Sequence, residues 1–288
     1  MPAVIIDGKA AAAKVRAEAA QKAAQLKAKG VIPCLAVVLV GDDPASVSYV
    51  TAKEKALEEA GMRSRDIRLS GDTGESALLD IIAALNADRA VHGILVQLPL
   101  PSPLDEDRVI GAVSAAKDVD GLLPLSAGNL ALDLPGFIPC TPHGILVLLR
   151  EMNIPTNGAH AVIVGRSKLV GRPLANLLTR RAVNATVTVC HTGTRDMAFH
   201  TRQADILIAA AGSPHLITAD MVKEGAAVID VGVNRVEKRL RGDVDFDAVA
   251  AKASYITPVP GGVGPMTIAM LLCNVVQAAE HAKAKSHG

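Results

Sequence analysis

The chain has 288 residues, half of them hydrophobic, which is enough for two domains of ordinary size. Its core must be aliphatic, because there is no Trp and only three Phe and two Tyr. A formal net charge of +1 without a long basic run gives nucleic-acid binding no support, and no apolar run reads as long enough to span a bilayer.

The first residues, Met-Pro-Ala-Val-Ile-Ile-Asp-Gly-Lys, carry no signal-peptide pattern. Cys34, Cys140, Cys190 and Cys273 are far apart and form no C-x-x-C pair, so reduced thiols in a cytoplasmic protein are expected. The eight histidines form no H-E-x-x-H or H-x-H set, and no protein-bound metal is expected. Lys9–Lys29, closed by Gly30, reads as a long surface helix. Short apolar runs at Leu35–Val40, Gly93–Leu98, Ala161–Val164, Thr186–Cys190, Ile206–Ala209 and Ala227–Val231 read as strands covered on both faces. Helix-length stretches rich in Ala, Leu, Lys and Glu separate them, which predicts an α/β fold with parallel sheets. Breaks rich in Pro and Gly fall at Leu134–Gly144 and Thr257–Thr267. A last apolar helix, from Met266 to about His281, is expected to pack back on the first domain and make it discontinuous.

The segment from Ser46 to Gly61 reads as a helix in which Tyr49, Val50, Lys53, Ala56, Leu57 and Ala60 share one arc. Glu54, Lys55, Glu58 and Glu59 lie opposite. An ammonium in an apolar arc has its charged form disfavoured, so it is either paired or used. Tyr49, one turn earlier on the same face, makes an acid–base pair with Lys53 one reading. A lysine that snorkels to the surface is the other.

His160 to Leu174 is strand, glycine turn and helix, similar to a Rossmann first turn. Ser167 stands where the second fingerprint glycine belongs, and Gly171 comes one residue late. The helix N-terminus offers backbone N–H groups to a pyrophosphate. The next strand ends in His191-Thr192-Gly193-Thr194-Arg195, with no acid until Asp196. A ribose hydroxyl usually meets a carboxylate there, so Arg166, Thr192 and Arg195 favour NADP over NAD. Val231-Gly-Val-Asn-Arg235 ends a strand with a glycine at which backbone can approach a ligand. Pro260-Gly-Gly-Val-Gly-Pro265 reads as a ligand-facing loop with Pro265 in the first turn of the following helix.

Taken in order, Tyr49-Val-Thr-Ala-Lys53, Gly93-Ile-Leu-Val-Gln97-Leu-Pro-Leu-Pro101, Lys117-Asp-Val-Asp120-Gly121, Pro139-Cys-Thr-Pro142, Gly165-Arg-Ser167 with Gly171, and Pro260 to Thr267 form a specific set. The chain closely resembles the bifunctional methylenetetrahydrofolate dehydrogenase/methenyltetrahydrofolate cyclohydrolases over nearly its whole length. The resemblance implies an N-terminal α/β folate-binding domain, residues 1–139 plus 266–288, and a Rossmann-like NADP-binding domain, residues 140–265, with a cleft between them. It implies hydride transfer from methylenetetrahydrofolate to NADP, then hydrolysis to formyltetrahydrofolate, within one-carbon folate metabolism and purine biosynthesis. It makes Lys53, Tyr49, Gln97 and Asp120 the catalytic set, with Gln97 setting the position of Lys53 and Asp120 gripping the pterin. Folate would meet Tyr49, Leu98, Pro99, Asp120, Gly262 and Pro265, and NADP would meet Thr141, Gly165, Arg166, Ser167, Thr192 and Val233. It also implies a cytoplasmic homodimer with no nucleic-acid or membrane partner.

Read without the resemblance, Gln97 simply ends a buried strand and Asp120-Gly121 is a turn. After Asp120-Gly the resembled family usually carries an aromatic, a His, then Pro and an Asn, whereas this chain has Leu122-Leu123-Pro124-Leu125-Ser126. A short-chain dehydrogenase would share Tyr49-x-x-x-Lys53, but there the glycine turn precedes the pair, and here Gly165 follows it. The alternative within the family is a dehydrogenase without hydrolysis, which would have no use for Lys53 and Gln97. A non-catalytic dinucleotide-binding regulator would have no use for Lys53 either.

Overall fold

A computed structural model describes residues 2–237 and 239–285. The chain divides into two compact units, and neither is contiguous in sequence. The first holds Lys14–Asn129, Pro135–Ile138 and Ile268–Gly288; the second holds Met1–Ala13, Leu130–Leu134 and Pro139–Thr267. The chain opens with β1 (Val4–Ile5) and α1 (Gly8–Ala28). All six strands read from the sequence are present, with ends moved by at most two residues.

In the first unit, β2 (Cys34–Val40), α2 (Pro44–Glu59), β3 (Arg63–Leu69), α3 (Glu75–Ala87) and β4 (Gly93–Val96) follow in order. The sheet is parallel, in the order β3-β2-β4. Every residue of β2 is buried, which explains its unbroken apolar run. β3 has the sequence RSRDIRL and shows no strand signature, yet it pairs with β2 over its full length. It is an edge strand, and its charges keep that edge from pairing with another chain. Arg65 and Arg68 reach Asp88 and Asp66 at 2.7 and 2.6 Å. β4 stops short of the expected Leu98, although the Gln97 N–H still donates to Val38 O at 2.9 Å. Beyond it the chain turns into Leu98-Pro99, and Pro99 has no N–H with which to continue the ladder.

α4 (Glu106–Gly111), a 3₁₀ turn at Ala115–Lys117 and α5 (Pro124–Ala131) follow, with α5 ending across the unit boundary. The second unit contains α6 (Cys140–Glu151), β5 (His160–Val164), α7 (Gly171–Leu178), β6 (Thr186–Cys190), α8 (Met197–Thr201), β7 (Ile206–Ala209) and β8 (Ala227–Asp230). The hairpin β9 (Asn234–Val236) and β10 (Arg239–Arg241) comes next, then α9 (Phe246–Ala250) and β11 (Tyr255–Ile256). Its main sheet is six-stranded and parallel, in the order β1-β11-β8-β7-β5-β6. β1 pairs with β11, so the first residues go with this sheet, whereas the sequence reading put residues 1–139 in the other domain. A two-residue strand is too short for alternation to reveal. The chain runs from β5 outward to β6, then returns to the other side of β5 as β7. That reversal leaves a crevice at the carboxyl ends of β5 and β7, where ligands of such sheets bind.

The last helix, α10, spans Val263–Lys285 and so begins three residues before the expected Met266. Its Val263–Ala284 stretch of 22 residues has a hydropathy of 1.3, long and apolar enough to cross a membrane, contrary to the sequence reading. Its apolar side chains serve the core: 61% of its most apolar 18-residue window is buried, with Leu271, Leu272, Val275 and Val276 at 2% exposure or less. From Ile268 onward it belongs to the first unit. There the buried Asn274 amide donates to Val119 O at 2.7 Å and Ile138 O at 3.0 Å.

Gly93 opens β4 against Val119, and a Cβ there would meet Val119 Cγ1 at 2.6 Å and Cγ2 at 2.9 Å. Valine is stiff about χ1 and cannot swing aside. Gly93→Ala is expected to destabilise the protein by about 1–3 kcal/mol through overpacking. The urea midpoint reads this directly, and an unchanged midpoint would show that the Val119 segment yields freely.

Candidate active site

Asp43 caps α2 by accepting the Ser46 N–H at 2.8 Å, and Pro44 occupies its first turn. Gly61, with φ +69°, ends it. Val50, Ala56, Leu57 and Ala60 are buried, as the periodicity implies. Tyr49 and Lys53 share their arc but not their burial: Tyr49 is 48% exposed and Lys53 is half-buried. Lys53 Nζ donates to Gln97 Oε1 at 2.9 Å. Gln97 Nε2 donates to the Leu98 carbonyl at 2.6 Å, so only its carbonyl oxygen is left for the lysine. An amine and a fixed amide carbonyl therefore meet where α2 passes the carboxyl end of β4. A lysine held this way, with solvent access, is equipped to orient a water and move a proton. The snorkelling alternative has no such fixed partner.

Asp120 lies on a turn that Gly121 makes possible with φ +70°. Its carboxylate accepts no hydrogen bond from the described residues. Asp118 behaves differently. It is 3% exposed and accepts from Leu122 N and Leu123 N, each at 3.0 Å, and from Ser126 Oγ at 2.6 Å. Burial pushes the Asp118 carboxyl above its usual range, against the pull of those donors. Leu98 and Pro99 lead into a loop that Glu106 holds by accepting the Leu100 N–H at 3.0 Å.

In the second unit Gly165 ends β5 with φ +129°. A Cβ on Gly165 would lie 2.1 Å from Ala210 O, beside the end of β7, so glycine is required at the crevice itself. A Cβ on Gly171 would lie 2.1 Å from Gly165 O. The late glycine thus performs the close strand–helix packing of the fingerprint. Ser167 Oγ accepts the Val170 N–H at 3.1 Å and shapes the turn. α7 begins at Gly171, which makes Pro173 its third residue.

The tip of β6 closes on itself, with His191 N donating to Thr194 Oγ1 at 2.8 Å and Gly193 N to His191 Nδ1 at 3.0 Å. Asp196, the first acid after β6, accepts the Phe199 N–H at 3.1 Å as the cap of α8. Its carboxylate is therefore committed to capping through one oxygen. Arg166, Thr192 and Arg195 are exposed, and neither arginine has an ion pair among the described residues. Guanidinium groups and N–H donors without a carboxylate suit a phosphorylated ribose.

Two glycine readings change. Gly232 was expected to let backbone approach a ligand, but a Cβ there would meet Asp243 Oδ1 at 2.2 Å. It makes room for a buried carboxylate. Gly261 adopts φ +108°, and a Cβ on Gly262 would meet Pro258 O at 2.6 Å and Thr257 Cβ at 2.7 Å, so the first of these loop glycines has a conformational reason and the second a packing reason, whatever ligand the loop faces. Pro265 is the third residue of α10. Thr141 and Thr267 touch through their hydroxyls at 2.9 Å, and Val233 is exposed beside β9.

The sequence reading missed Asp230 and Asp243, both buried. Asp243 accepts the N–H groups of Ala211, Gly212 and Ser213 at 2.7–2.9 Å and Asn234 Nδ2 at 2.8 Å. It fixes the loop that leaves β7 at the crevice. Asp230 accepts from Gly232, Asp243 and Val244, while burial pushes it up to about 6. Only the Gly-Asp pair at Gly242-Asp243 hints at this in sequence, and it reads as a turn.

Family models match both parts of the chain. The tetrahydrofolate dehydrogenase/cyclohydrolase catalytic domain covers residues 6–120, and the NAD(P)-binding domain of the same family covers residues 139–283. The bifunctional protein FolD of Moorella thermoacetica is 58% identical over 280 residues, 97% of this chain and 99% of that protein. The solved bifunctional enzyme FolD, a methylenetetrahydrofolate dehydrogenase/cyclohydrolase from Campylobacter jejuni, superposes with a TM-score of 0.94 at 51% identity, covering 96% of this chain and 99% of that one. The Trypanosoma brucei methylenetetrahydrofolate dehydrogenase-cyclohydrolase, solved with NADP cofactor and inhibitor, gives 0.94 at 38% identity, covering 98% and 99%. With both halves matched and the motifs folded as described, the chain belongs to the tetrahydrofolate dehydrogenase/cyclohydrolase family.

Proposed function

We propose that this protein oxidises methylenetetrahydrofolate to methenyltetrahydrofolate with NADP and then hydrolyses the product to formyltetrahydrofolate. The hydrogen bond from Lys53 Nζ to Gln97 Oε1 carries the reading, because a dehydrogenase alone has no use for it. Relatives named for both activities support it. Asp120 accepts from the pterin amino and ring N–H groups, and the accessible Tyr49 ring packs along the folate. Leu98, Pro99, Gly262 and Pro265 are assigned to the folate site. Gly165, Arg166, Ser167, Thr192, Val233 and Thr141 are assigned to NADP, with Arg166 on the ribose phosphate. The folate-binding domain in this reading is the first unit, and the NADP-binding domain is the second, which also takes the first residues of the chain through β1.

Bound NADP supplies the hydride acceptor. Loss of hydride leaves a cation stabilised by the folate nitrogens, so no protein acid or base is needed for that step. Hydrolysis asks more. Water adds to the methenyl carbon, one carbon–nitrogen bond breaks, and the released ring nitrogen takes a proton. Lys53, held by Gln97, orients the water and moves that proton. The four cysteines are free thiols, three of them buried, which suits a cytoplasmic protein. A homodimer is the assembly assigned, and sedimentation reads it.

Two expectations follow. Lys53→Met keeps the apolar stem and removes the amine. Cyclohydrolase activity is expected to fall on the order of 10²–10⁴-fold while dehydrogenase activity stays measurable. Methenyl folate then accumulates and is followed by its absorbance; its removal at the wild-type rate would reject Lys53. Arg166→Ala should weaken NADP by about one to two orders of magnitude, as expected for a lost charge-assisted bond, with little effect on NAD. A wild-type kcat/KM as high with NAD as with NADP would reject the cofactor assignment.

A further inference from the structure

Asp120 is the one carboxylate of its turn that faces no protein donor among the described residues, yet the segment around it is held on both sides. Upstream, Val119 O accepts from Asn274 at 2.7 Å, and the Val119 side chain lies against Gly93. Downstream, the Gly121 N–H closes on Asp118 O at 3.0 Å. The Asp118 carboxylate then gathers Leu122 N, Leu123 N and the Ser126 hydroxyl. Asp118 and Ser126 are 3% and 4% exposed, so the carboxylate depends on these protein donors.

We infer that Asp118 and Ser126 are positioning residues for the Asp120 carboxylate, so that folate affinity depends on a buried hydroxyl acting through that turn. The inference rests on the proposed pterin role of Asp120. Two carboxylates two residues apart repel each other, and an unheld turn would let either one turn outward. The donors gathered on Asp118 keep it inward and leave Asp120 as the outward acceptor. Ser126 also lies in the run Leu122–Ser126 in which this chain departs from the family it resembles. The Ser126 Oγ contact at 2.6 Å shows what holds the turn here. The first turn of α5 therefore reports on the pterin end of the site.

The test is kinetic. Ser126→Ala should raise the KM for folate about tenfold in both reactions, with kcat and the KM for NADP within about threefold of wild type. Ser126 lines a cavity of about 270 Å³, bounded also by His92, Asn129, Phe137 and His281, which has room for a methyl group. Ser126→Thr, which keeps the hydroxyl, should therefore restore the KM, while Ser126→Val, of the same shape without it, should not. If Ser126→Ala does not fold, the Thr and Val pair gives the same comparison. In an Asp120→Ala background, removing the Ser126 hydroxyl should change the folate KM no further, since coupled residues are not additive. Equal effects in both backgrounds would mean a general structural role and would overturn the inference. So would an unchanged KM in Ser126→Ala where Asp120→Ala raises it. An unchanged KM in Asp120→Ala itself would instead reject the pterin role of Asp120.

Discussion

The chemistry proposed for this chain depends on one hydrogen bond, from Lys53 to the carbonyl oxygen of Gln97. A lysine on an otherwise apolar arc must be satisfied, and the partner must itself be fixed. Gln97 meets that demand because each end of its amide has one task. Its N–H₂ is held by Leu98 O, its backbone N–H still belongs to the β2–β4 ladder, and its carbonyl faces the lysine. The strand has to stop where it does for this to happen. One more residue of regular pairing would carry Leu98 into the sheet and take its carbonyl away from the Gln97 side chain.

The dinucleotide-type unit solves a different problem, that of bringing backbones together at the crevice. Gly165 and Gly171 allow strand, turn and helix to approach more closely than any Cβ permits. Asp243 then ties the loop after β7 by three backbone N–H groups, and Gly232 gives its carboxylate room. Charge is distributed with the same economy. The one acid near the tip of β6 caps a helix, and the arginines are left exposed.

Strands buried on both faces were legible because nothing but apolar side chains fits there, as in β2, β4 and β7. β3 was not, since an edge strand facing water can be charged throughout and still pair fully. β1 was hidden by its length, and its pairing with β11 depends on a residue 251 positions away (Val4 with Tyr255). Lys53 was legible as an anomaly of periodicity. Its partner was nameable only through the family resemblance, because no local pattern links positions 53 and 97. Asp230, Asp243 and Asp118 were illegible as buried groups: a carboxylate held by backbone N–H donors looks in sequence like any turn aspartate. The glycines of 261–262 have conformational and packing reasons that the sequence does not separate from ligand approach, because all of these select the same residue.

The central claim is that Lys53 and Gln97 act as one unit in hydrolysis, and a double-mutant cycle on the cyclohydrolase rate tests it most directly. Lys53→Met, Gln97→Leu and the double variant are compared with the wild type. With the amine gone, the amide has nothing left to position, so Gln97→Leu should cost no further activity in the Lys53→Met background. If the two losses simply multiply, the residues act independently and the account of the site is wrong.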